Sequence, residues 1–257
     1  VLYGGKKGWE PVATLRSFPN NAIYGTATWT TAMQVNNQTD CGEHDTEQEK
    51  DVVPSKTRPA TVLCIEAIPS AYTKMKNAVE TLGWQSSLHV HHHVIADRPS
   101  FIMYCTDPTN ECTNVSQVAL DSFMIQQQQQ PTEPAMAELP MIDFLSVDLE
   151  GYDVPALKGA NQTLSRVRYL EFEYHNRGIW PQFNLKRDVL VMLESVHGFT
   201  CYWGGKQGKL WRITGCWRDI YLRHKWSTAA CVHRERLPEL ARRMEQRFLD
   251  TIANKIQ

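Results

Sequence analysis

Short runs of β-branched and aromatic residues alternate along this chain with helix-length segments whose apolar residues recur every three or four positions. That alternation predicts an α/β fold built on a doubly wound, mostly parallel sheet. Val1-Leu2-Tyr3 reads as a first strand. It runs into the glycine turn Gly4-Gly5-Lys6-Lys7-Gly8 and then a helix from about Trp9 to Phe18. Thr61 to Glu66 is a second, buried strand. Pro69 opens the next helix, with Tyr72, Met75, Val79 and Leu82 at helical spacing, and Gly83 stops it. Leu88 to Ile95 is a third strand, and Phe101–Cys105 with Val115–Leu120 forms a β-excursion. The clearest stretch, Met141 to Val147, is a strand that ends in Asp148-Leu149-Glu150-Gly151. A helix from about Val154 to Leu164, a strand from Val167 to Tyr174 and a helix from Leu185 to Val196 follow. Phe199–Trp203 and Leu210–Ile213 predict a C-terminal β-hairpin. The closing C-terminal helix places Leu237, Leu240, Met244, Phe248 and Ile252 on one side.

Two stretches break the pattern. Residues from about 19 to 60 are polar and rich in Asn, Thr, Asp and Glu, which reads as a long insertion or lid. Residues 126–134, five glutamines and then Pro-Thr-Glu-Pro, read as a low-complexity surface loop. The rest supports one domain over residues 1–257. The first strand has nothing ahead of it, so an N-terminal segment carrying any targeting information is expected to precede Val1.

Composition narrows the class of partner. The net charge is -1, and the arginines between His233 and Arg247 are interleaved with Glu235, Glu239 and Glu245. That is a solvated helix face and not the basic stripe of a nucleic-acid binder, so no nucleic-acid partner is expected. No stretch approaches the roughly 18–20 apolar residues of a transmembrane helix. The seven cysteines are odd in number and scattered, which argues for a soluble protein in a reducing compartment. Cys105 and Cys112 flank a turn and could pair in an oxidising one.

The chemistry gathers at strand ends. In an open parallel sheet, ligands bind beyond the carboxyl ends of the strands. Here the first strand ends in Gly4, Gly5 and Gly8, the second in Glu66, the fourth in Asp148 and Glu150, and the fifth in Glu173 and His175. The glycines allow close backbone approach to a ligand, or form a plain turn. Glu66 is placed to accept both hydroxyls of a ribose, or is a solvated strand-end acid. Asp148 and Glu150 share a strand face and can position a substrate, act as a base or hold a metal. His89, His91 and His93 also share a face, but no carboxylate or cysteine completes a set of ligands, and no metal is assigned.

The run Ile142-Asp-Phe-Leu-Ser-Val-Asp148-Leu-Glu150-Gly151-Tyr-Asp-Val-Pro-Ala-Leu157-Lys-Gly159-Ala160 resembles the signature of FkbM-type methyltransferases. In that family an apolar strand ends in Asp-x-Glu-Gly and the next helix closes on Leu-x-Gly-Ala. Leu120-Asp121-Ser-Phe123 is similar to the family's Leu-Asp element, and Cys64-Ile-Glu66-Ala-Ile-Pro69 to its cofactor strand. Ala96-Asp97 falls where the family often has a small-acidic pair. Gly198 to Tyr202 through Gly215-Cys-Trp217 is similar to members from algae and other protists.

The resemblance implies a class I, Rossmann-like methyltransferase fold, S-adenosylmethionine as methyl donor, and O-methylation of a small molecule or sugar. It implies that Gly4 and Gly8 face the methionine part, with Gly5 in the same turn, and that Glu66 holds the ribose. It places Asp97 near the adenine and Asp148 near the sulfonium and substrate. Asp148, Glu150 and His175 are then the candidate catalytic or orienting groups. Leu2 departs from the pattern, since the family carries an acid there. A second reading is therefore a catalytically inactive scaffold, an accessory subunit of an organellar assembly. Its partners would meet the 19–60 insertion or the C-terminal helix.

Overall fold

The computed structural model describes residues 2–3, 22–24, 61–106, 111–128, 141–149, 151–175, 179–205, 208–223 and 226–253. Two short strands share the central lane of its main sheet. β2 (Ala22–Tyr24) pairs in parallel with β3 (Val62–Glu66) and with β8 (Ile142–Asp148). β1 (Leu2–Tyr3) continues that lane, with Leu2 opposite both Ile65 and Val147 and Tyr3 opposite Asp148. Ala22–Tyr24 thus forms a strand inside the stretch expected to be an insertion. The helix expected at 9–18 lies outside the described residues, as does most of the insertion.

β4 (Leu88–His92) pairs in parallel with the outer side of β3, and β9 (Val167–His175) with the other side of β8. Five parallel lanes result. β12 (Trp226–His233) then runs antiparallel between β9 and β10 (Phe199–Gly204), and β11 (Leu210–Arg212) closes that edge. This is the expected α/β arrangement with a mostly parallel sheet, including the C-terminal hairpin of β10 and β11. The apolar run of β8 is buried almost throughout, as a strand covered on both faces requires. A three-stranded sheet of β5 (Val94–Ala96), β6 (Ser100–Thr106) and β7 (Glu111–Ala119) extends from β4, so the third predicted strand is split at His93.

Pairing explains what the hydrophobic pattern did not reveal. β12 contains Ser227-Thr228-Ala229-Ala230, a weak strand sequence, and is held by neighbours on both sides. Within it Cys231 lies opposite Cys201 of β10, and the two form a disulfide. Cys112 is also disulfide-bonded, and the register sets Cys105 across from it. Cys64 and Cys216 are free thiols. The expectation of scattered cysteines that form no disulfide framework is corrected by the Cys201–Cys231 bond.

The helices are α1 (Pro69–Thr81), α2 (Leu120–Gln128), α3 (Asp153–Lys158), α4 (Asn161–Leu164), α5 (Val191–Ser195) and α6 (Pro238–Ala253). α2 runs through Gln126–Gln128, where a loop was expected. A π-helical turn, Leu185–Leu190, leads into α5. The apolar face of α6 is used within the chain: Leu237, Leu240, Met244 and Phe248 pack against Tyr202 and Val232. Glu245 of α6 accepts hydrogen bonds from Tyr202 Oη at 2.7 Å and Arg212 Nη1 at 3.0 Å.

The helix predicted over 154–164 is two pieces because of a close approach. A Cβ at Gly159 would lie 2.1 Å from the Ala96 carbonyl oxygen, so only glycine lets the backbone pass there. The restarted helix α4 is capped from a distance. Asp121 accepts the N–H groups of Gln162 at 2.8 Å and Thr163 at 2.7 Å, and the Thr163 hydroxyl at 2.7 Å. The Leu-Asp element thereby satisfies orphan donors at the helix start with a charge of favourable sign. Asp121→Ala is expected to destabilise the fold by about 1–3 kcal/mol in denaturant titration, whereas Asp121→Asn retains part of the cap.

Candidate functional site

The register places acids in one row. Ile65, Leu2, Val147 and Phe172 stand side by side across four lanes. One residue further along each strand come Glu66, Tyr3, Asp148 and Glu173, and Glu66 is itself opposite His92. Neighbours in such a row point to the same face, at a lane spacing of about 4.8 Å. Three carboxyls from segments far apart in sequence thus stand at one level at the carboxyl end of the sheet, with the Tyr3 lane between Glu66 and Asp148. His175, two residues beyond Glu173, shares its face.

Glu66 is 3% exposed. Its Oε1 accepts the Ile68 N–H at 2.8 Å, while Oε2 is buried and has no partner among the described residues. Burial pushes the carboxyl up to about 7, against the pull of the Ile68 and Ala67 N–H groups. Beside it, Tyr72 of α1 stacks on His92 with ring centroids 4.8 Å apart. His92 Nε2 lies 3.2 Å from the Ala67 carbonyl and donates to it, which fixes that ring against the loop after Glu66. An aromatic shelf therefore flanks a carboxyl with acceptor capacity to spare, which suits a ribose and its attached base.

Asp148 is buried at the end of β8. His175 is fully enclosed, with Nε2 3.7 Å from Glu173 Oε2. Asp153, at the first turn of α3, is also fully enclosed. Burial first, and then the charge of Glu173, push its carboxyl up to about 7. Asp97 lies apart from the row, in the bend after β5, where its carboxyl is half exposed and Arg98 Nε is 3.8 Å away. Gly4, Gly5, Gly8 and Glu150 lie outside the described residues. The histidine run is packing material: the rings of His91 and His93 meet Phe123 at 4.9 and 5.7 Å, and His93 Nδ1 is 2.8 Å from Ser116 Oγ. Burial pushes His91 down to about 4, with His93 and His89 adding to the shift. Among the described residues no three potential metal ligands converge.

Sequence reasoning did not single out Asp153, Trp180 or the Tyr72–His92 pair. Asp153 was readable only as the residue two beyond a motif glycine. The other contacts join residues distant in the chain.

The FkbM methyltransferase domain model matches residues 40–201, more than half of the chain. The chain belongs to that family. No curated protein matches the sequence. Among solved structures, the chain is similar to the methyltransferase FkbM from Methylobacillus flagellatus KT, with 12% identity and a TM-score of 0.46. That match covers 83% of this chain and 43% of the other, so this FkbM-family chain spans less than half the length of that relative. A human methyltransferase 10 domain containing protein has 9% identity and a TM-score of 0.35, covering 83% and 71% of the two chains. The hMettl16 catalytic domain, solved with the MAT2A 3′UTR hairpin 1, has 10% identity and a TM-score of 0.37, covering 87% and 67%. Among the described residues no helix is long and apolar enough to cross a membrane.

Buried acids have a measurable consequence for the stability of the fold. Glu66 and Asp153 have folded-state values above their ordinary 4.5 and 3.8, so the folded chain holds protons that the unfolded chain releases. The stability linked to those protons is fully present below about pH 4 and is lost as pH rises to about 7. Glu66→Gln is expected to raise the melting temperature at pH 8 by roughly 2–6 °C and to change it little at pH 4. A lower melting temperature for the variant at pH 8 would contradict this.

Proposed function

We propose that this FkbM-family domain binds S-adenosylmethionine along its acid row and methylates a hydroxyl of a small molecule or sugar. The observation that carries the reading is the row itself, with Glu66, Asp148 and Glu173 at one level of the sheet. Glu66 would accept the ribose hydroxyls through Oε2, which has no partner among the described residues, with Tyr72 and His92 beside the base. Asp97 is assigned to the outer edge of the adenine, and Gly4, Gly5 and Gly8 to the methionine part. Asp148 would face the sulfonium and the incoming hydroxyl.

S-adenosylmethionine held there would supply a methyl group to the hydroxyl oxygen, with the carbon–sulfur electron pair left on sulfur. The hydroxyl proton passes to a base. Most of the rate comes from holding oxygen, carbon and sulfur in line. Asp148 and Glu150 are the candidates to orient the hydroxyl and take its proton. His175 is fully enclosed, with Nε2 3.7 Å from Glu173 Oε2, so it would act on the substrate only through Glu173.

Leu2 motivates a second reading. It occupies the central lane between Ile65 and Val147, one residue short of the acid row, where the family carries a carboxylate. An inactive scaffold serving a protein assembly would tolerate that loss. Of the two surfaces considered for partners, α6 has its apolar face covered by the sheet.

Calorimetric titration with S-adenosylmethionine separates the two. The carboxylate form of Glu66 is the better acceptor, so binding competes with a proton below about pH 7. The expected outcome is micromolar affinity at pH 8, about tenfold weaker at pH 6, and lost in Glu66→Ala. A folded wild-type protein that produces no heat would overturn the cofactor assignment and favour the scaffold.

A further inference from the structure

We infer that Asp153 is the positioning residue of this site, a single buried carboxyl that ties the end of the Asp148 strand to the segment following β9. The inference rests on the proposed function and adds a residue to it. Asp153 Oδ2 accepts two hydrogen bonds from different parts of the chain: the Gly151 N–H and the Trp180 indole Nε1–H, each at 3.3 Å. The first donor belongs to the turn immediately after Asp148 and Leu149. The second belongs to the 3-10 turn Trp180–Gln182, which leads from β9 into the π-helical segment.

The two donors sit in a constrained turn and a buried ring. Gly151 has φ of +107°, a conformation that glycine adopts freely, and Tyr152 N–H closes the turn on the Leu149 carbonyl at 3.2 Å. Trp180 is 1% exposed, so its indole N–H has no access to water. The Trp180 ring meets Tyr174 edge-on at 4.9 Å and overlaps Phe172 at 6.5 Å. Phe172 and Tyr174 alternate along β9 with Glu173 and His175. Fixing Trp180 therefore fixes the strand end that presents Glu173. A residue that locks site geometry in this way matters through the small displacements its loss allows.

The environment of Asp153 is also electrostatic. Glu173 of β9 is the charged group that acts on it most strongly, and the N–H groups of Leu149, Gly151 and Asp153 itself oppose that effect. Its value near 7 means that its two bonds strengthen as the carboxyl ionises across neutral pH.

The test follows the Trp180 indole N–H by nitrogen-15 NMR between pH 5.5 and 8.5, assigned with Trp180→Phe, alongside calorimetry with S-adenosylmethionine. In the wild-type protein the indole proton should move downfield as pH rises through about 7. Asp153→Asn keeps an acceptor oxygen and loses the charge. Its resonance should stay near the wild-type position with no pH dependence, and its affinity should remain within about threefold. Asp153→Ala should release the indole to rapid hydrogen exchange and weaken binding at least tenfold. An alanine variant with an unmoved, protected indole and unchanged affinity would overturn the inference. Should the alanine variant fail to fold, a titrating indole in Asp153→Asn would overturn it equally. Should wild-type protein bind no cofactor, the proposed function fails, while the indole titration still decides whether Asp153 holds Trp180.

Discussion

Everything proposed for this domain depends on the register between the central lane and its two parallel neighbours. Because Leu2 pairs with Ile65 on one side and Val147 on the other, an apolar row ends at one level and an acidic row begins at the next. A shift of one residue would turn each acid to the opposite face of its strand and disperse the row. The apolar row fixes the register through burial, since Ile65, Val147 and Phe172 are each at most 2% exposed. The hydrophobic core thus aligns the polar site above it.

The cost of that arrangement falls on the stability of the fold. Carboxyls buried without counter-charges are desolvated, and Glu66 and Asp153 respond by holding their protons to near neutrality. A ligand that brings hydroxyl donors and a positive charge would offset this. Leu2 means that, of the strand ends described, the charge comes from β3, β8 and β9.

Much of this was legible in the sequence because the strands that carry the site are continuous apolar runs ended by acids. Cys64-Ile65-Glu66 and Val147-Asp148 could be read as strand ends from periodicity alone, and both sit where that reading put them. What escaped was tertiary. β12 has a weak strand sequence and exists through pairing on both sides and the Cys201–Cys231 disulfide. The predicted helix over 154–164 broke because Gly159 packs against Ala96, a contact with no local signature. Asp121 could be matched to a motif, but its capping of a helix 41 residues away could not be read from the chain. The role of Asp153 was hidden for a similar reason, because its second partner, Trp180, lies 27 residues on.

The most direct measurement is a crystal structure of the protein grown with S-adenosylmethionine. The account predicts the ribose hydroxyls within hydrogen-bonding distance of Glu66, the base beside Tyr72 and His92, and the sulfonium facing Asp148. A cofactor bound elsewhere on the domain, or one whose ribose makes no contact with Glu66, would contradict it.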